Sequence, residues 1–126
     1  MTAWYPGASE LLEAVREFLA NEVQPQDATP SAFHVRVAAN VLAIVQRETE
    51  TGQAALEAEE RRLTELLAVD GDLEELNAEL CRRLRAGEMD YNSPELLDHL
   101  RQTTMDRLAI DNPRYATYRR CRELDR

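Results

Sequence analysis

Arg36, Asn40, Ala43 and Arg47 follow one another at spacings of four, three and four residues. At about 100° per residue on an α-helix, that spacing gathers them on one narrow stripe. Two guanidiniums with an amide between them can hold a carboxylate or a phosphate through forked hydrogen bonds. The same stripe also reads as the solvent side of a helix, or as cations paired with acidic side chains elsewhere. His34 falls off the stripe, in line with Ala38, Val41 and Val45 on an apolar face. An imidazole in that setting reads as a satisfied core residue ahead of a catalyst.

Other groupings stop short of a reaction. A di-iron bundle needs two Glu-x-x-His motifs, and neither His34 nor His99 has a Glu at that spacing before it. Glu95 and His99 share a helix face at i,i+4 with Asp98 beside them, which reads as a surface pair. Cys81 and Cys121 stand 40 positions apart, in no metal or redox spacing, and read as free thiols. Nothing in the local sequence marks either thiol as the nucleophile of a Cys–His pair. Zinc spacing, a phosphate loop, a dinucleotide fingerprint and a nucleophile elbow do not occur in the sequence. The reading is therefore of a protein that is no enzyme, with no catalytic residue, no metal site and no cofactor.

The elements that would carry these residues are helices. Leu11, Leu12, Val15, Phe18, Leu19 and Val23 recur at helical spacing between Pro6-Gly7 and Pro25, with Glu10 at the positive N-terminal end. A polar loop, Gln24 to Thr29, follows. Thr29-Pro30 then starts a second helix that runs to about Glu50, with Gly52 as its stop. Between Phe33 and Val45 this helix is apolar on most sides, which predicts a place in the middle of the fold. A third helix is expected over Gln53 to Val69, stopping at Asp70-Gly71. Asp72 and Glu75 form a capping-box-like start to a fourth, which carries Leu73, Leu76, Leu80 and Leu84 inward and ends at Gly87. Ser93-Pro94-Glu95 opens a fifth, ended by Pro113 after Asn112. Arg114 to Arg126 reads as a short extra helix or a tail. No stretch alternates long enough for a strand. The fold class is all-α: a compact bundle of about five mostly antiparallel helices around an apolar central second helix. A single domain is expected over residues 1–115, with a C-terminal tail at 116–126.

Composition agrees and excludes some partners. The chain has 126 residues, 44% hydrophobic and 6% aromatic, so its core must rest on Leu, Val and Ala. The formal net charge is -9, and all 15 basic residues are Arg. That balance argues against nucleic acid, which needs a net basic face. It also suggests a GC-rich bacterial origin. The longest apolar run, Val41 to Val45, is far below the roughly 20 residues that span a bilayer, so no membrane is expected. With no secretory signal at the N-terminus and two free thiols, a cytoplasmic location is expected.

Three segments carry a family likeness: Leu11 to Leu19, Phe33-His34-Val35-Arg36-Val37-Ala38-Ala39-Asn40, and Leu108-Ala109-Ile110-Asp111-Asn112-Pro113-Arg114-Tyr115. Together with Leu76 to Cys81, they make the chain resemble, to about Tyr115, a bacterial domain family of unknown function. Its members are typically encoded beside, or fused behind, aminoglycoside-phosphotransferase-like kinases, often near acyl-CoA dehydrogenases. The segment Ala14 to Pro25 alone also resembles the opening helix of acyl-CoA dehydrogenases, but the flavin-binding strands and catalytic domain of that family have no counterpart here. The family likeness brings no established activity. Its matching polar positions are His34, Arg36, Asn40, Asn77, Asn112 and Arg114, which with Arg47 form the set of ligand or interaction candidates. The resemblance implies an accessory or interaction domain that assists a phosphotransferase-like kinase. The alternative is a helical bundle that holds an anionic acyl or phosphorylated ligand at Arg36, Asn40 and Arg47. A homodimer is also expected, since two-fold pairs are the commonest oligomer.

Overall fold

Capping residues visible in the sequence set three of the helix starts, at Gly7, Asp72 and Ser93. A computed structural model describes residues 6–23 and 30–126, with the side chains of Glu22, Val23 and Pro30 excepted. Among the described residues there are α-helices and helical turns and no strand: α1 (Ala8–Phe18), α2 (Pro30–Arg47), α3 (Gln53–Leu67), α4 (Leu73–Arg85), α5 (Pro94–Asp111) and α6 (Ala116–Leu124). The protein is all-α. Two five-residue π-helical turns, Leu19–Val23 and Glu48–Gly52, follow α1 and α2. The loop and the Thr29 cap expected between α1 and α2 lie outside the described residues. The chain divides into two compact units, Met1–Gly52 and Gln53–Arg126.

In the first unit, α1 starts at Gly7, whose N–H donates to Glu10 Oε2 at 3.2 Å. That carboxylate takes up one of the backbone donors a helix start leaves without an intrahelical partner. The second helix pairs antiparallel with α1: Ser9 bonds Glu50, while Glu13 and Arg16 both reach Gln46. α2 becomes π-helical at Glu48 rather than running on as an α-helix to Glu50.

The second unit is built on leucine. Leu63, Leu67, Leu76, Leu80 and Leu96 form its buried cluster, with Leu66, Leu73, Leu84 and Met89 packed against it. Asp72 accepts from the Glu75 backbone N–H at 2.9 Å and Glu75 accepts from the Asp72 N–H at 3.0 Å, a closed capping box at the start of α4. Ser93 caps α5 with Pro94 in its first turn. On the outer side of α4, Glu79 is gripped by both Arg82 and Arg83, each at 2.8 Å. These hydrogen bonds hold its carboxyl down at about 2. Its share of stability is thus present above about 4.5 and is lost as pH falls toward 2.

Of the two readings of the last residues, the structure has the helix, α6, whose Tyr118 is buried and whose end is tied to α5 by Arg101 and Asp125 at 2.7 Å. The expected end of the third helix is not kept: α3 stops at Leu67, two residues before Val69, because Ala68 takes φ +55°. That left-handed conformation, which its side chain disfavours, ends the helix with the Ala68 N–H on Thr64 O. Ala68→Gly is expected to raise the unfolding free energy by about 1 kcal/mol. A urea midpoint that stays put or falls would contradict this.

Candidate functional site

The candidate residues on α2 are positioned by how that helix turns against α1. The facing side is made of small residues. Ala32 is fully buried and Ala43 nearly so, with Val35, Ala39, Leu42 and Gln46 half-buried around them. Polar groups fix the rotation. Gln46 Nε2 donates to Glu13 at 2.8 Å, Arg16 donates to Gln46 Oε1 at 2.6 Å, and Arg16 also pairs with Glu13 at 3.0 Å. Alanines allow close approach of the two backbones, and the Gln46 amide fills both its donor and acceptor roles there.

The opposite side of α2 is consequently bulky and open. Val37 is nine positions before Gln46, which places it about 180° around the helix. Phe33, Val37, Val41 and Val45 form a row at i, i+4, i+8 and i+12 and are 56%, 45%, 50% and 44% exposed. The structure differs here from the expectation of a central helix. An apolar composition all round does not say which side will be covered, and the small side won. On α1, Leu11, Val15 and Phe18 are likewise half-exposed.

The stripe predicted from spacing runs between the two sides: Ala43 is buried on the side that faces α1, and Arg47, two residues beyond Val45, lies about 200° around the helix from the end of the row. Arg36 and Asn40 are exposed, and Arg47 is half-buried. His34 is exposed beside the row instead of satisfied in a core, its ring 5.8 Å from that of Phe33. From Pro30 to Arg47 there is no carboxylate, so this helix is locally cationic in an acidic chain.

The remaining candidates lie in the second unit. Asn77 donates to its own helix, on Leu73 O at 3.1 Å. Asn112 closes α5 and its carbonyl accepts from the Tyr115 N–H at 3.1 Å, with Arg114 exposed in the turn between. These contacts serve local structure.

One polar cluster in this unit was missed by sequence reading. His99 is buried, and its Nδ1 accepts from Arg62 Nε at 3.3 Å. Arg62 also donates to Thr103 at 3.0 Å and lies 4.0 Å from Asp106. The imidazole is therefore neutral with its proton on Nε2. Burial, then the Arg62 charge, push its pKa below the ordinary value. The surface pair expected with Glu95 is not formed: Glu95 takes the Ser93 hydroxyl at 2.9 Å instead. A signal was there to read, since Leu96, His99, Thr103, Asp106 and Ile110 keep the spacing of one helix face. Nearby, a groove of about 300 Å³ is lined by Asp98, Arg101, Gln102, Met105, Asp106 and Asp125.

Among the described residues no group of three or more His, Cys, Asp and Glu could hold a metal ion. Nor is any described helix long and apolar enough to cross a membrane. The family model described as "Domain of unknown function (DUF6285)" matches residues 25–115. The match ends at Tyr115, as the sequence likeness does, and begins beyond the Leu11 to Leu19 segment. No curated protein and no solved structure matches the chain.

Proposed function

This chain belongs to the DUF6285 family, a domain of unknown function, and from that premise we propose that it is a helical interaction domain assisting a phosphotransferase-like kinase in acyl-CoA-linked metabolism. The observation that carries the reading is the exposed row Phe33, Val37, Val41 and Val45 on α2. Single exposed apolar residues are ordinary, but a continuous row marks a surface that is covered in use. The choice of a kinase rests on the sequence likeness described above, whose family is typically encoded with such enzymes.

The alternative use of the same helix, holding a small anion at Arg36, Asn40 and Arg47, requires a cleft that buries most of the ligand. Arg36 and Asn40 lie on an exposed side of α2, which favours a broad protein partner over an enclosed ligand. Mixed at micromolar concentration, the protein and a phosphotransferase-like kinase from the same organism should co-purify, and Val41→Asp should abolish the complex while leaving helix content unchanged. The absence of both binding and any change in kinase activity would defeat the proposal.

A further inference from the structure

We propose that the arginine face of α6 docks a short acidic segment of a partner protein, one that presents successive Glu or Asp side chains. This surface belongs to the second unit and is independent of the α2 row, so the outcome of the kinase test leaves it untouched. The case begins with how the chain uses its arginines. Carboxylates are in excess, 24 against 15 basic residues. Arg16, Arg62, Arg82, Arg83, Arg101 and Arg107 each lie within 4.0 Å of one. Towards the C-terminus the pattern changes. From Asn112 to Arg122 there is no Asp or Glu. Arg114, Arg119, Arg120 and Arg122 are exposed there, as is Arg126 beyond them. Among the described residues none of these has a salt bridge, and Glu123, four positions after Arg119, does not pair with it.

Packing turns these arginines outward. Tyr118 is buried, Cys121 is half-buried and Asp125 is held by Arg101, so these three positions mark the side of α6 that faces α5. Arg119 and Arg122, about 60° apart around the helix, share a free flank. Arg126 follows at i+7, directly after the cap residue Asp125. The Arg122 guanidinium is steadied over the Tyr118 ring, 5.8 Å from its centroid. Like charges one turn apart oppose a helix, so this flank costs stability until anions neutralise it.

The extent of the patch selects the anion. From Arg119 to Arg126 a helix rises about 10 Å, room for about two or three carboxylates at helical spacing. Each guanidinium fork matches a carboxylate in geometry as well as charge. A nucleic-acid strand or an anionic bilayer would reach past the patch, onto Asp98, Asp106 and Asp125 of the neighbouring groove. It would also meet a chain of net charge -9. A short acidic segment avoids both.

The probe is a designed helical peptide with Glu at i, i+3 and i+7, labelled for fluorescence anisotropy, set against the same peptide with Gln at those positions. The full chain should bind the Glu peptide about tenfold or more tightly, and the difference should shrink at high salt. Arg119→Glu with Arg122→Glu should remove the preference. Arg61→Glu with Arg85→Glu, the same net change at exposed positions of α3 and α4, should keep it. Circular dichroism reports whether α6 survives the first pair. If it does not, Arg119→Gln with Arg126→Gln, which leaves Arg122 on Tyr118, decides instead, and the preference should fall at least about threefold.

Equal binding of the two peptides, no binding, or an equal loss in the α3 and α4 variant would overturn the proposal. So would tighter binding of a single-stranded oligonucleotide or of phosphatidylserine vesicles, since the occupant would then carry phosphate. Self-association in sedimentation that the Arg119 and Arg122 reversal abolishes would overturn it too, because the occupant would be a second copy.

Discussion

Leu96→Ala lowers the stability of the α3–α6 unit by about 3 kcal/mol, while Leu97→Ala, the next residue on the same helix, costs less than about 1 kcal/mol. The two changes delete the same atoms and make the same small gain in helix propensity. They differ in surroundings. Leu96 is 2% exposed within the cluster of Leu63, Leu67, Leu76 and Leu80, whereas Leu97 is 50% exposed. Truncating Leu96 opens a cavity that rigid neighbours close only in part, so the cavity cost adds to the lost transfer free energy. Truncating Leu97 forfeits only part of a transfer term. Denaturant titration of the two variants checks this. Equal losses would mean that α5 is rotated from the orientation described.

The second large effect is on pH. Unfolded, His99 protonates near the ordinary value of 6.5; folded, burial and Arg62 hold it neutral to lower pH. Below 6.5 the unfolded chain thus binds the extra proton first, so stability is full above that value and falls as pH falls toward the folded pKa. One proton sets the ceiling on this slope at about 1.4 kcal/mol per pH unit. Protonated His99 could no longer accept from Arg62 and would face its charge, with Glu59 and Asp98 giving partial compensation. The carboxylate Glu79 acts in a separate window, from about 4.5 down to 2. His99→Gln, which keeps an acceptor for Arg62, should flatten the slope just below 6.5 and leave the Glu79 window intact. An unchanged slope would show that His99 is not the group that titrates.

Local chemistry made much of the second unit legible. Asp72, Glu75 and Ser93 satisfy backbone donors within a few residues and Pro94 removes one, so their pattern is written in a few letters. The inward set Leu73, Leu76, Leu80 and Leu84 follows from period alone, and all four are buried or half-buried. Arg62 and His99 meet across 37 positions, and no spacing rule joins residues on different helices. The side of α2 that packs was hidden for another reason. Hydrophobicity favours burying Phe33 and the valines, whereas close approach through Ala32, Ala39 and Ala43 and the hydrogen bonds of Gln46 favour the other side. Sequence period registers only the first preference. Of the stripe, Arg36 and Asn40 are exposed while Ala43 is buried and Arg47 half-buried, so spacing alone did not say which of its members meet solvent.

The polar seam between α1 and α2 has a consequence in time rather than in space. A pair joined by Ser9, Glu13, Arg16, Gln46 and Glu50, and burying chiefly alanine, has little apolar area to lose when it opens. Segments of that kind open locally at low free energy, long before a leucine cluster does. On the docking reading, a partner that covers the α2 row would also close the pair, and the ordering of α1 would consume part of its binding energy. Opening of the pair and unfolding of the leucine cluster would then be separate events in hydrogen exchange.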